Sequence, residues 1–178
     1  NDPDYLALLD SIQEPNRRKA WRFGSWDITS GGMLDDVWEG SVHVLEPFSI
    51  PDNWRIDRGF DWGSARPSAL QWFAESNGEQ FKDNTGKRRW YPKGTLFVIG
   101  EIYTWTGEEN VGNRMLAKDI AVRAREYEQK QGWRVRPGPA DSMIYDSDDG
   151  PSIADKMAEE GITFIPCVKG KGSRVNGW

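Results

Sequence analysis

The sequence predicts an α/β fold on a mixed central sheet, with the first three strands a meander, the later strands parallel, and helices flanking the sheet. Three observations predict it. Hydrophobic alternation of period two begins at Trp54 and recurs in successive segments. A helical period replaces it after Leu116. From there helix and strand signals alternate, the order that parallel, right-handed crossovers require.

The chain divides near residue 50. Residues 1–50 read as a linker or the end of a preceding domain: PDYLALLDSI carries a short helix, and WRFGSWDITSGGMLDDVW sets Gly24, Gly31 and Gly32 among tryptophans. Glycines break elements, while Trp21, Trp26 and Trp38 need something to bury against. Residues 51–178 form the second unit. In WRIDRGFDW, Trp54, Ile56, Phe60 and Trp62 share one face of a first strand, and Asp57 and Asp61 the other. ALQWFAE is a second strand, and Asn77-Gly78 and Asn84-Thr85-Gly86 supply hairpin turns. TLFVIGEIYTW is a third, with β-branched and aromatic content suited to a sheet centre.

Leu116, Ile120, Ala124 and Tyr127 then recur on one helical face with Lys118, Arg125 and Glu128 turned away, and Gly132 is a fitting stop. The apolar patch MIY after Asp141 reads as a fourth strand or its end. SIADKMAEEG is a helix with Ser152 as N-cap, Asp155 completing a capping-box-like pair, Ile153 and Met157 on one face, and Gly161 past its end. ITFIPCV closes the pattern as a fifth strand, with Cys167 in the core.

At 178 residues the chain is one ordinary domain's worth, long enough to bury roughly two-thirds of its unfolded surface. No apolar run approaches the roughly 20 residues of a membrane helix, so a soluble class with no membrane partner is expected. The sequence opens at Asn1 without a signal peptide, and the natural N-terminus is expected elsewhere. One cysteine, Cys167, and one histidine, His43, exclude an internal disulfide and a zinc site built from Cys and His alone, and leave Cys-His or Ser-His catalysis unsupported. A net charge of −5 excludes a basic coat for nucleic acid. Cations nevertheless cluster, as Lys82, Lys87, Arg88, Arg89 and Lys93, and again as Lys169, Lys171 and Arg174.

Asp61 stands at a strand end, where a turn residue is commonplace. Its full segment, RGFDWGSARPSALQWFAE, ends a strand in an acid, sets a glycine two positions on and a proline before the next strand. With FVIGEIYTWTGEENVG, GPADSMIYDSDDGPSIADKMAEEGITF and KGKGSRVNGW, in that order, it resembles the C-terminal nuclease domain of phage terminase large subunits, which has an RNase H-like fold. Upstream, WRFGSWDITSGGMLDDVW and IPDNW are similar to that family's passage from motor to nuclease.

The resemblance implies a metal-dependent endonuclease that cuts double-stranded phage DNA during genome packaging through two Mg²⁺ or Mn²⁺ ions. Such chemistry needs hard oxygen ligands converging from separate sheet elements. Carried over, Asp61 and Asp141 are metal ligands and Glu101 is a further catalytic acid. Asp146, Asp148 and Asp149 read as a solvated or helix-capping run. A third ligand carboxylate is implied well beyond GSRVNGW, so the domain is expected to be truncated at Trp178. Lys82, Lys87, Arg88, Arg89 and Lys93, with Trp90 and Tyr91, form one expected DNA contact, and Lys169, Lys171 and Arg174 a second. No G-x-x-x-x-G-K-[ST] loop occurs. The implied ATPase motor would therefore belong to the whole protein, along with a portal, a small terminase subunit and a setting in the cytoplasm of an infected or prophage-carrying bacterium. Two other readings stand beside this one: another RNase H-like enzyme of resolvase or integrase type, and a non-catalytic fragment that docks on a packaging motor.

Overall fold

The computed structural model describes residues 3–12, 18, 21–22, 37–147, 150–168 and 170. The expectations for Trp26, Gly24, Gly31, Gly32, Asp148, Asp149, Lys169, Lys171 and Arg174 lie outside these. The chain divides into two compact units between Pro47 and Phe48. The first holds α1 (Pro3–Asp10), with Leu9 buried, and a single turn, α2 (Gly40–His43). Trp38 stacks on His43 with ring centroids 5.0 Å apart. Trp21 and Trp38 were expected to be buried anchors, but 57% and 55% of their surface is exposed.

The second unit is built on a five-stranded mixed sheet. Its strands are β1 (Arg55–Asp61), β2 (Ala69–Glu75), β5 (Leu96–Tyr103), β6 (Val135–Ala140) and β7 (Ile165–Pro166), in the order β5-β2-β1-β6-β7. β1, β2 and β5 form the antiparallel meander, while β6 pairs parallel with β1 and β7 parallel with β6. This is the expected RNase H-like arrangement. A two-stranded ribbon, β3 (Phe81–Lys82) and β4 (Arg88–Arg89), is inserted between β2 and β5.

Strict alternation in β1 and β2 sends Ile56, Arg58, Phe60, Leu70, Trp72 and Ala74 into the core. The covering helix is α3 (Ala117–Gln131), whose Ala117, Ile120, Ala121 and Ala124 are buried and whose Tyr127 stacks on Trp72 at 4.8 Å. Gly132 ends it in the left-handed conformation, φ 67°. The helix α4 (Ile153–Ala158) adds Met157, and its capping box between Ser152 and Asp155 forms as the sequence predicts.

Five expectations change. Glu128, expected to be turned away, instead faces Arg58 and Trp72 and is mostly buried. TLFVIGEIYTW is an edge strand rather than a central one, and Leu96, Val98 and Tyr103 are exposed along it. Leu116 precedes the helix as its N-cap and is 67% exposed, so the buried stripe starts at Ala117. The fourth strand is VRPGPA, and MIY lies in the 3₁₀ turn Ser142–Tyr145 that follows it. Cys167 is exposed rather than a core residue, because only Ile165 and Pro166 of the final segment join the sheet.

Candidate functional site

The parallel pairing of β1 and β6 brings two acids to one place. Phe60 is paired with Ala140; Asp61, the last residue of β1, and Asp141, the first residue after β6, come next. The two carboxylates therefore leave the same carboxyl edge from strands spaced about 4.8 Å apart. Asp61 is exposed, and among the described residues its side chain has no hydrogen-bond or ion-pair partner. Asp141 caps the 3₁₀ turn, its Oδ1 accepting from the Met143 amide at 2.8 Å.

Glu101 is not brought into this pair. It accepts from Gln71 Nε2 at 2.8 Å, and Gln71 is in turn opposite Gly59 of β1. Two strand spacings sideways and two residues along put it roughly 12 Å from Asp61, backbone to backbone. Among the described residues no three His, Cys, Asp or Glu side chains converge as a metal cluster. Two neighbouring carboxylates fit a hydrated hard cation of the Mg²⁺ type, which takes one or two carboxylates and completes its shell with water and phosphate oxygens.

The cationic ribbon lies at the opposite end of the sheet. Glu75, where β2 leads into it, pairs with Arg55, the first residue of β1, whereas Asp61 is the last. Six residue steps separate these ends by about 20 Å. Phe48, Trp54, Phe81, Tyr91 and Phe97 form the aromatic cluster that seats the ribbon. Asp83 locks its turn: one carboxylate oxygen accepts from the Thr85 amide and hydroxyl and the Lys87 amide, and the other from Arg89 Nε at 2.6 Å. The Thr85 hydroxyl first, and then Arg89, hold its carboxyl well below the usual range. Arg89 itself lies over the Phe48 ring, 4.9 Å from its centroid. Arg89 is thus occupied with structure, whereas Lys82, Lys87, Arg88 and Lys93 are exposed and their side chains make no ion pair among the described residues. Lys82 and Arg88 are direct cross-strand neighbours, a like-charge juxtaposition that weakens a ribbon unless an anion lies over it.

No protein-family model matches the sequence, and no curated protein matches it either. Among solved structures the fold is similar to the large terminase of a thermophilic bacteriophage, with a TM-score of 0.50 at 13% identity, over 98% of this chain and 38% of that one. The chain has a terminase-like fold. At that identity the likeness concerns fold alone, and the chain spans well under half the length of the terminase it matches.

Within this terminase-like sheet, sequence reasoning missed two groups. Arg58 falls on the apolar face of β1, with 4% of its surface exposed. It reaches Glu128 Oε1 at 2.5 Å and the Thr163 carbonyl at 3.3 Å, while Trp72 Nε1 donates to the same Glu128 oxygen at 2.8 Å. Arg66 and Arg114 are the second group. They are exposed on two loops at the carboxylate end, one following β1 and the other following β5. The signal for Arg114 is conformational, φ 56°, and a sequence does not display it.

Proposed function

We propose that this chain is the nuclease part of a phage DNA-packaging terminase, cutting double-stranded DNA by divalent-metal-dependent phosphodiester hydrolysis. The observation that carries the reading is the pair Asp61 and Asp141, one residue beyond Phe60 and Ala140 on adjacent parallel strands. Carboxylates at neighbouring strand ends supply the hard oxygens that Mg²⁺ or Mn²⁺ takes. When bound, such a cation activates water and stabilises charge on the phosphate.

The chain's own residues have separable roles in this reading. Asp61 offers an exposed carboxylate with no competing partner among the described residues, and Asp141 holds its carboxylate in register through the Met143 amide. Glu101 stays on Gln71 as an acceptor outside the pair. A second cation about 4 Å from the first requires a further carboxylate, and the family resemblance puts one beyond Trp178. The ribbon cations Lys82, Lys87, Arg88 and Lys93 contact the DNA backbone at a distance from the cut. In the whole protein the partners are an ATPase motor, a portal and a small subunit, inside the bacterial host.

Plasmid nicking by the chain extended past Trp178, with Mg²⁺ or Mn²⁺ supplied, tests the reading. Asp61→Ala is expected to slow nicking at least about a hundredfold and to remove Mn²⁺ binding seen by calorimetry. Full activity in that variant rejects the assignment. Absence of Mn²⁺ binding by the extended chain favours the docking alternative instead, to which Trp21 and Trp38 offer exposed aromatic surface.

A further inference from the structure

The loops that leave β1 and β5 at the carboxylate end are zipped together backbone to backbone. Gly112 donates to the Ala65 carbonyl at 2.9 Å, Thr104 donates to the Ser68 carbonyl at 3.0 Å, and the Ser68 amide donates to Thr104 Oγ1 at 2.7 Å. The Ser68 hydroxyl closes the first loop on Gly63, accepting from its amide at 3.0 Å and donating to its carbonyl at 2.9 Å. The contact is close enough that a Cβ on Gly63 would lie 2.4 Å from the Arg66 carbonyl oxygen, and one on Gly112 would lie 2.5 Å from the same atom. Asp61 is two residues from Gly63 and paired with Ala69, so it forms a stem of the loop that carries Arg66.

Arg114 follows two residues after Gly112 in the left-handed region, φ 56°, which a bulky side chain rarely adopts. It is held there from both sides: the Asn113 amide donates to the Thr104 carbonyl at 2.8 Å, and the Met115 amide to Asn113 Oδ1 at 3.1 Å. Glycine would relieve the strain at this position, yet an arginine occupies it. Among the described residues neither Arg66 nor Arg114 has an ion-pair or side-chain hydrogen-bond partner. The acids of the second loop, Glu108 and Glu109, lie in its tip, beyond the bridge between Trp105 and Gly112.

We propose that Arg66 and Arg114 form a two-point clamp for the phosphodiester backbone of nucleic acid beside Asp61, holding it in register with the carboxylate pair. Two exposed guanidinium groups on a rigid double loop supply planar, charge-assisted donors to phosphate oxygens. They also offset the negative charge of Asp61 and Asp141 toward an incoming anion. The clamp deepens the nuclease reading and rests on it for its role, but its test reads binding rather than cleavage.

The test is fluorescence anisotropy of a labelled duplex with this chain, without divalent cation, across a salt series. The double variant Arg66→Ala/Arg114→Ala is expected to bind about tenfold more weakly at low salt, with the salt slope reduced by about two. The loss should be equal on AT-rich and GC-rich duplexes. Unchanged affinity and slope overturn the clamp, and so does a loss confined to one sequence. Arg114→Gly separates binding from folding, because it relieves the backbone: an unchanged or raised Tm with weakened binding supports the clamp, whereas a lowered Tm with binding unchanged overturns it. Arg114→Lys should keep most of the slope. If the extended chain never nicks DNA while the double variant loses its slope, the clamp stands and the nuclease reading falls. If nicking proceeds and the slope is unmoved, the reverse holds.

Discussion

At the scale of single residues, Asp83 shows how one carboxylate fixes a local shape. It has no exposed side-chain surface and accepts four hydrogen bonds from three residues of its own ribbon. Its folded carboxyl lies below the ordinary range, chiefly because the Thr85 hydroxyl and Arg89 favour the charged form. Stability from such a group is complete above the unfolded value and is lost as pH falls through the folded one. Asp83→Asn is therefore expected to lower Tm equally at pH 7 and pH 5, with the gap to the parent closing only below about pH 4. Differential scanning calorimetry from pH 7 to pH 2 checks this, and a gap that already closes between pH 7 and 5 overturns it. Candidate site residues were legible to different degrees for similar reasons. Asp61 stands out at the end of an alternating strand, whereas Asp141 was picked out only through the family resemblance, because the VRPGPA strand before it does not alternate. The entanglement of Arg89 with Asp83 depends on a turn geometry that the cluster of cations does not reveal.

At the scale of elements, β1, β2, α3 and α4 were legible because periodicity, caps and stop glycines agreed. β6 was not. Its VRPGPA carries two prolines and a glycine, which argue against a central strand. The strand is tolerated because the β1 register shifts between Arg58 and Phe60, and because Gly138 lets the backbone approach where a Cβ would lie 2.1 Å from the Arg58 carbonyl oxygen. The same Arg58 joins elements through its side chain. Its ion pair with Glu128, shared with Trp72, ties β1 and β2 to α3, and 5% and 14% of the two charged side chains remain exposed. Removing one partner strands a buried charge, so Glu128→Ala should cost about 3 kcal/mol by urea unfolding. The paired apolar replacement Arg58→Met/Glu128→Leu should recover most of that, because the desolvation of both charges disappears together. A double variant no more stable than Glu128→Ala would show that Arg58 contributes packing rather than a compensated charge.

At the scale of the whole unit, the sheet separates the loop arginines from the ribbon cations by its own length. The carboxylates and the two loop arginines sit where β1 ends, while the ribbon cations sit where it begins, about 20 Å away. That span equals roughly six base pairs of duplex at 3.4 Å each. The meander connectivity was readable in the sequence and already sets the insertion after β2 at the start of β1; the length of the separation follows from the register of β1 and β2. On the proposed reading, a duplex anchored at the carboxylate end reaches the ribbon only when it is long enough. Affinity measured against duplex length should therefore rise in a step once the span is exceeded, and Lys82→Ala/Arg88→Ala should abolish the step while leaving binding of shorter duplexes unaltered. The same substitution should raise Tm slightly in the absence of DNA, since it removes a direct cross-strand repulsion. A smooth length dependence, identical in parent and variant, would mean that DNA does not run along this sheet from one basic surface to the other.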